Sequence, residues 1–177
     1  LSFIPGTWVE SIQITKGVGS VANGYESMAG QINTELKKPF SEPLLFVNAF
    51  ASQGGRQEFN THWNTSLNER WHTGLFVHAN RRIEAMDANG DGFMDMPMGD
   101  QVNLMHRWQY TDTEKGWVGF ATLKWLKDDK EAGQMDSQIN FMGGQPLWKS
   151  ITSTERLEGA FKMGYVFPEM PYQSIGL

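Results

Sequence analysis

The segment Asp87-Ala88-Asn89-Gly90-Asp91-Gly92-Phe93-Met94-Asp95 carries the sharpest chemistry in the chain. Asp87, Asn89 and Asp91 place side-chain oxygens at positions 1, 3 and 5 of a calcium loop, with the carbonyl of Phe93 at 7 and Asp95 at 9. Gly92 falls at position 6, where such a loop turns sharply. Hard oxygens at alternate places suit a hard divalent cation, so calcium is the expected cofactor. Position 12 is Met98 instead of a bidentate Glu and no helices flank the loop, so the expected affinity is weak, ~10⁻⁴–10⁻³ M. Asp100 stands by as a late ligand. The competing reading is a solvated acidic loop folded by Asx turns.

The same loop carries Met94, Met96 and Met98, with Met86 just before it. Alternate thioethers suit Cu(I), and they also serve as adaptable apolar filler. His62, His72 and His78 share the polar face of two neighbouring strands, where the usual role is a wet polar residue, and no metal is assigned to them. Gly17-Val18-Gly19-Ser20-Val21-Ala22 fits a dinucleotide fingerprint in form, but neither a substantial helix nor βα alternation follows. There is no G-x-S-x-G, no H-E-x-x-H and no cysteine, so no enzyme is expected and thiolate sites are excluded.

The elements that must position these groups are strands. With 15 basic against 20 acidic residues the net charge is −5, which advertises no nucleic-acid surface. No apolar run approaches the ~18 residues of a spanning helix. Four segments alternate cleanly. In 57–67 the odd positions are Gln57, Phe59, Thr61, Trp63, Thr65 and Leu67, against Glu58, Asn60, His62, Asn64 and Ser66. Segments 71–82, 102–110 and 156–167 repeat the pattern, and 44–51 and 117–127 read as strands with a less clean phase. Strands of about ten residues suit a tilted bilayer crossing, which takes ~9–11.

Short connections (68–70, 111–116, 168–173) alternate with long ones (83–101, 128–154), except for the short 52–56. Trp71, Trp108, Tyr110, Trp117, Tyr165 and Phe167 all fall beside the short ones. Aromatic girdles and short turns at one end mark outer-membrane barrels, while strand-end aromatics also cap the core of a soluble sandwich. The polar face, with Glu58, Asn60, His62, Asn64, His72, Asn80, Arg107 and Lys162, calls for water, which a lumen supplies. The expected fold is therefore all-β, the first six or seven strands of a transmembrane barrel.

Before Pro39 the chain has another character. Val9-Glu10-Ser11-Ile12-Gln13-Ile14-Thr15-Lys16-Gly17, then Ser20, Gly24, Ala29-Gly30-Gln31-Ile32-Asn33 and Lys37-Lys38-Pro39, resembles the end of the plug domain of TonB-dependent outer-membrane receptors. Gln31 stands where the family has a second glycine, and Glu35-Leu36 replaces its usual Ile/Thr. The resemblance implies the C-terminal part of a small α/β plug over 1–39 and N-terminal strands of a barrel of ~22 over 40–177. It also implies a piece of a longer protein. The implied activity is uptake of a ferric siderophore or similar metal chelate across the Gram-negative outer membrane, with TonB, the chelate and outer-membrane lipid as partners. The alternative is a non-transporting, calcium-binding surface β protein such as an adhesin or interaction module.

Overall fold

The computed structural model describes residues 3–17, 29–40, 43–135, 147–170 and 172–177. The glycine-rich stretch Lys16–Gly24 lies outside them from Val18 onward. Among the described residues the only helical piece is a 3₁₀ turn, Gly6–Trp8, and no helix is long and apolar enough to cross a membrane.

The fold is all-β and antiparallel. β1 (Val9–Lys16) and β2 (Gly30–Leu36) form a two-stranded hairpin. β3 (Leu45–Ala51), β4 (Arg56–Ser66), β5 (Trp71–Arg82), β6 (Met98–Asp112), β7 (Trp117–Gly133), β8 (Lys149–Val166) and β9 (Ser174–Gly176) form one sheet in chain order. This up-and-down meander needs no crossover, as hairpin connections allow. The sheet is open, with β3 and β9 at its edges, and does not close into a barrel.

The last long strands exceed expectation. β6, β7 and β8 run 15, 17 and 18 residues instead of about ten, so the long connections shrink to 83–97 and 134–148. Their outer ends are held by polar cross-strand contacts. Lys149 Nζ donates to Glu131 at 2.7 Å, Ser153 Oγ to Asp129 at 2.5 Å and Trp125 Nε1 to Glu155 at 3.1 Å. Where both faces carry charge, apolar–polar alternation vanishes although the backbone ladder continues.

The two faces of the sheet are inverted relative to a water-soluble protein. Leu45, Val47, Phe59, Trp63, Leu75, Leu104, Leu123, Leu157 and Phe161 stand exposed on one face. Asn60, His62, Asn64, His78, Gln101, Asn103, Gln109 and Asp128 are buried on the other. Their cover is the N-terminal segment. Trp8 sits fully buried on Phe76 and Met105, with Leu36 alongside and the Trp8 and Phe76 rings edge-on at 6.0 Å. This corrects the expectation that the polar face is wet throughout: across β4–β6 it is covered. Along β8 it stays open, with Arg156, Ala160 and Lys162 exposed.

Candidate functional site: the covered polar face

Alternation places Arg56, Glu58 and Asn60 of β4 on the same face as His78 and Asn80 of β5, Gln101 of β6, and Asp128 and Lys130 of β7. There they make one hydrogen-bonded row. Arg56 Nη2 lies 2.6 Å from Glu58, and Asn60 Nδ2 donates to Glu58 Oε1 at 2.9 Å. Asn60 Oδ1 accepts from Thr7 Oγ1 at 3.0 Å and lies 2.6 Å from His78 Nδ1. An amide oxygen only accepts, so His78 Nδ1 carries the proton and Nε2 accepts from Asn80 Nδ2 at 2.9 Å. Asn80 Nδ2 also donates to Gln101 Oε1 (2.8 Å), Gln101 Nε2 to Asp128 (3.1 Å), and Lys130 pairs with Asp128 at 2.8 Å.

Beside this row lies a cavity of about 290 Å³ between the wall and Ile4–Gly6, with Arg82, Met96 and Met98 also lining it. Most of its charges are paired, Arg56 with Glu58, Lys130 with Asp128, Asp100 with Arg81 and Asp129 with Lys127, while Arg82 Nη1 donates to the carbonyl of Gly54 at 2.7 Å. The cavity wall therefore presents paired acidic and basic side chains with two amides and two thioethers among them.

The 87–95 loop folds on its own backbone. The Asp87 carboxylate accepts N–H groups from Gly90 (2.7 Å), Asp91 (3.2 Å) and Gly92 (2.8 Å). Asp91 accepts from Phe93 N at 2.8 Å and from Asn89 Nδ2 at 3.0 Å, and Asp95 accepts from Ala88 N at 2.7 Å. Phe93 also bridges to Gln134. The five expected ligands thus share one compact turn. Among the described residues no group of three His, Cys, Asp or Glu side chains stands in a metal-holding arrangement, so an ion here would draw also on Asn89 and the carbonyl of Phe93. The thioethers divide: Met96 and Met98 line the cavity, while Met86 sulfur lies beside Gly54.

The histidines part company as well. His62 stacks on Phe46 with centroids 4.8 Å apart, His72 pairs with Ser66 at 2.8 Å, and His78 joins the row. On the hairpin, the hydrogen bond from Lys38, 2.6 Å away, holds the Glu35 carboxyl below its ordinary range and raises the Lys38 ammonium in return.

Sequence reasoning passed over Thr7 and Trp8, which dock the N-terminal segment on the wall. Their available signal was position: an aromatic placed directly before a strand that cannot bury itself as a two-stranded hairpin. Compared with known protein families, curated proteins and solved structures, the chain matches none.

Proposed function

We propose that this chain is the end of the plug and the first barrel strands of a TonB-dependent outer-membrane receptor importing a ferric siderophore or similar metal chelate. The observation that carries the reading is the inversion of the sheet: its apolar side chains face outward while its polar ones are covered by the N-terminal hairpin. In water that arrangement wastes the hydrophobic effect. In a bilayer it is the stable one, because lipid takes the apolar face and the lumen keeps the polar face.

Dimensions support the same reading. Outward positions are aromatic or apolar from Trp117 to Trp125 on β7, eight residue steps, about 26 Å along the strand and about 20 Å in height at a ~40° tilt. That approaches the ~25 Å apolar band of such barrels. Trp71 and Tyr110 pack at 5.0 Å and Trp117 and Tyr165 at 4.9 Å, all at the short-turn end, where a girdle would meet the headgroups. Beyond the band stand Lys127, Asp129, Arg81 and Asp100, the last two paired at 3.0 Å. The open sheet edges would be closed by further strands, since lipid tolerates no unpaired backbone. On this reading loop 87–95 lies outside the cell, where weak calcium binding has ample ion to draw on.

Single cysteines test the topology, because the chain has none of its own. In the full-length protein in outer membranes, a polar maleimide should label Glu158→Cys far faster than Leu157→Cys, and bilayer-quenching lipids should reach only a probe at 157. Uptake of the iron chelate should stop when the proton gradient is collapsed. A monodisperse protein that folds cooperatively without lipid or detergent would overturn the membrane reading and favour the adhesin alternative.

A further inference from the structure

A row of three residues on the covered face grips the chain where it leaves the hairpin. Asn64 of β4, Gly74 of β5 and Arg107 of β6 are successive cross-strand partners. Arg107 Nη1 donates to the carbonyls of Leu36 at 3.0 Å and Lys37 at 2.5 Å, at the end of β2. Asn64 Nδ2 donates to the carbonyl of Pro43 at 3.0 Å, and Asn64 N donates to Leu44 O at 2.9 Å, just before β3. The connection between the two sheets is thus held near both ends by side chains of the wall.

Each part has a physical reason. Carbonyls leaving a β ladder need new donors once buried. A guanidinium presents several N–H groups in a fixed fork, so one side chain serves two adjacent carbonyls. Gly74 supplies the room: a Cβ there would overlap Asn64 Oδ1 and crowd the Phe76 ring. A glycine inside a central strand marks such a close approach.

We infer that Asn64, Gly74 and Arg107 form a clamp that fixes the connection and stops any displacement of the β1–β2 hairpin at Leu36, so that it does not reach β3. The three are positioning residues. The remaining contacts of the hairpin with the wall are weaker stops. Trp8 is its main apolar anchor, and the Trp8 indole N–H, Thr34 hydroxyl and Asn103 amide are buried there without hydrogen-bond partners in the protein. Opening that interface lets water satisfy them, whereas opening the clamp, where Asn64 Oδ1 is the one such atom, removes the charge-assisted bonds of Arg107. The clamp rests on these contacts alone and not on the transport reading; in a receptor whose plug is pulled, it would set where the pulled segment ends.

The test needs neither cargo nor an energy source. In the full-length protein folded in detergent, trypsin cleavage of the Lys37–Lys38 bond is followed by mass spectrometry, Lys38 being shielded by Pro39. Arg107→Met should speed that cut roughly ten- to a hundredfold, the equivalent of losing a hydrogen bond to a charged group. Arg107→Lys should recover part of the protection, which a mere space-filling role would not predict. Gly74→Ala, which displaces Asn64, should raise hydrogen exchange at the Asn64 amide, which donates to Leu44 O, while the Lys37–Lys38 bond stays protected. Heat-modified mobility reports that the sheet remains assembled. Should Arg107→Met fail to assemble, exchange in the native protein decides: amides of Lys37 and Asn64, which donate to Trp8 O and Leu44 O, must exchange more slowly than those of Gln31–Asn33. Unchanged cleavage in Arg107→Met, or faster exchange at Lys37 than at the hairpin, overturns the clamp.

Discussion

Leu75 and Phe76 are consecutive residues of β5, yet Phe76 is wholly buried beneath Trp8 while Leu75 is 41% exposed on the opposite face. Similar apolar side chains meet opposite surroundings one residue apart, because successive Cβ atoms in a strand point to opposite faces. Phe76 belongs to the small apolar patch that docks the N-terminal segment, and Leu75 to the face assigned to lipid.

The first prediction separates the faces. Leu75→Arg should cost ~2–4 kcal/mol of folding stability in lipid if it lies near mid-bilayer. Asn64 is no neutral comparison, being buried and bonded to Pro43. Ala160, on the open polar face of β8, is the better one: Ala160→Arg should stay within about 0.5 kcal/mol. Urea unfolding of the full-length protein in lipid vesicles measures both, and equal costs would refute the assignment of faces.

A second prediction concerns the docking patch. Trp8→Ala removes the largest side chain between hairpin and wall, a class of change that costs ~3–5 kcal/mol when the site cannot collapse. Hydrogen exchange in β1 and β2 should accelerate strongly, while the β5–β6 ladder keeps its protection. Loss of protection in both places would mean that hairpin and sheet fold as one unit.

Calcium should bind loop 87–95 as an addition to a turn that already folds. Since Asp87, Asp91 and Asp95 accept backbone N–H groups, the loop's shape does not wait for an ion. Binding in the ~10⁻⁴–10⁻³ M range should slow proteolysis of the loop, and Asp91→Ala should abolish that protection without disturbing assembly. Protection indifferent to calcium and chelator would leave the segment a solvated turn.

The Glu35–Lys38 pair sets a pH dependence for the hairpin end. Glu35 is held below its ordinary 4.5, so its contribution is complete above that value and fades as pH falls through the lowered one. Lys38 is raised above its ordinary 10.5, so its contribution is complete below that value and fades as pH climbs past it. Amide protection factors at Glu35 and Lys38 should be level from about pH 5 to 10 and drop in acid. Both side chains are partly exposed, at 33% and 39%, so molar salt should weaken the acid drop. A drop that survives salt would point to another carboxylate.

Much of the architecture was legible in the residues. Period-2 alternation located β4 and β5 almost to the residue, because the large apolar side chains Phe59, Trp63, Trp71, Leu75 and Val77 fall on one face and Glu58, Asn60, His62, Asn64, His78 and Asn80 on the other. It also told the faces apart, since pleating alone decides which side chains share a side. The outer ends of β6, β7 and β8 were not legible: there Lys149 pairs with Glu131 across strands and Lys127 with Asp129 along β7, while Asp128 and Lys130 pair on the other face, and charge on both faces erases the period while the ladder runs on. Local pattern likewise showed the Asp87–Asp95 turn, whose bonds span a few residues. What only the tertiary structure decided is which polar residues are covered. Thr7 meets Asn60 across 53 positions, and Arg107 meets Leu36 across 71. Such partners are joined by strand register and by where the hairpin comes to rest, and neither leaves a periodic mark on the sequence.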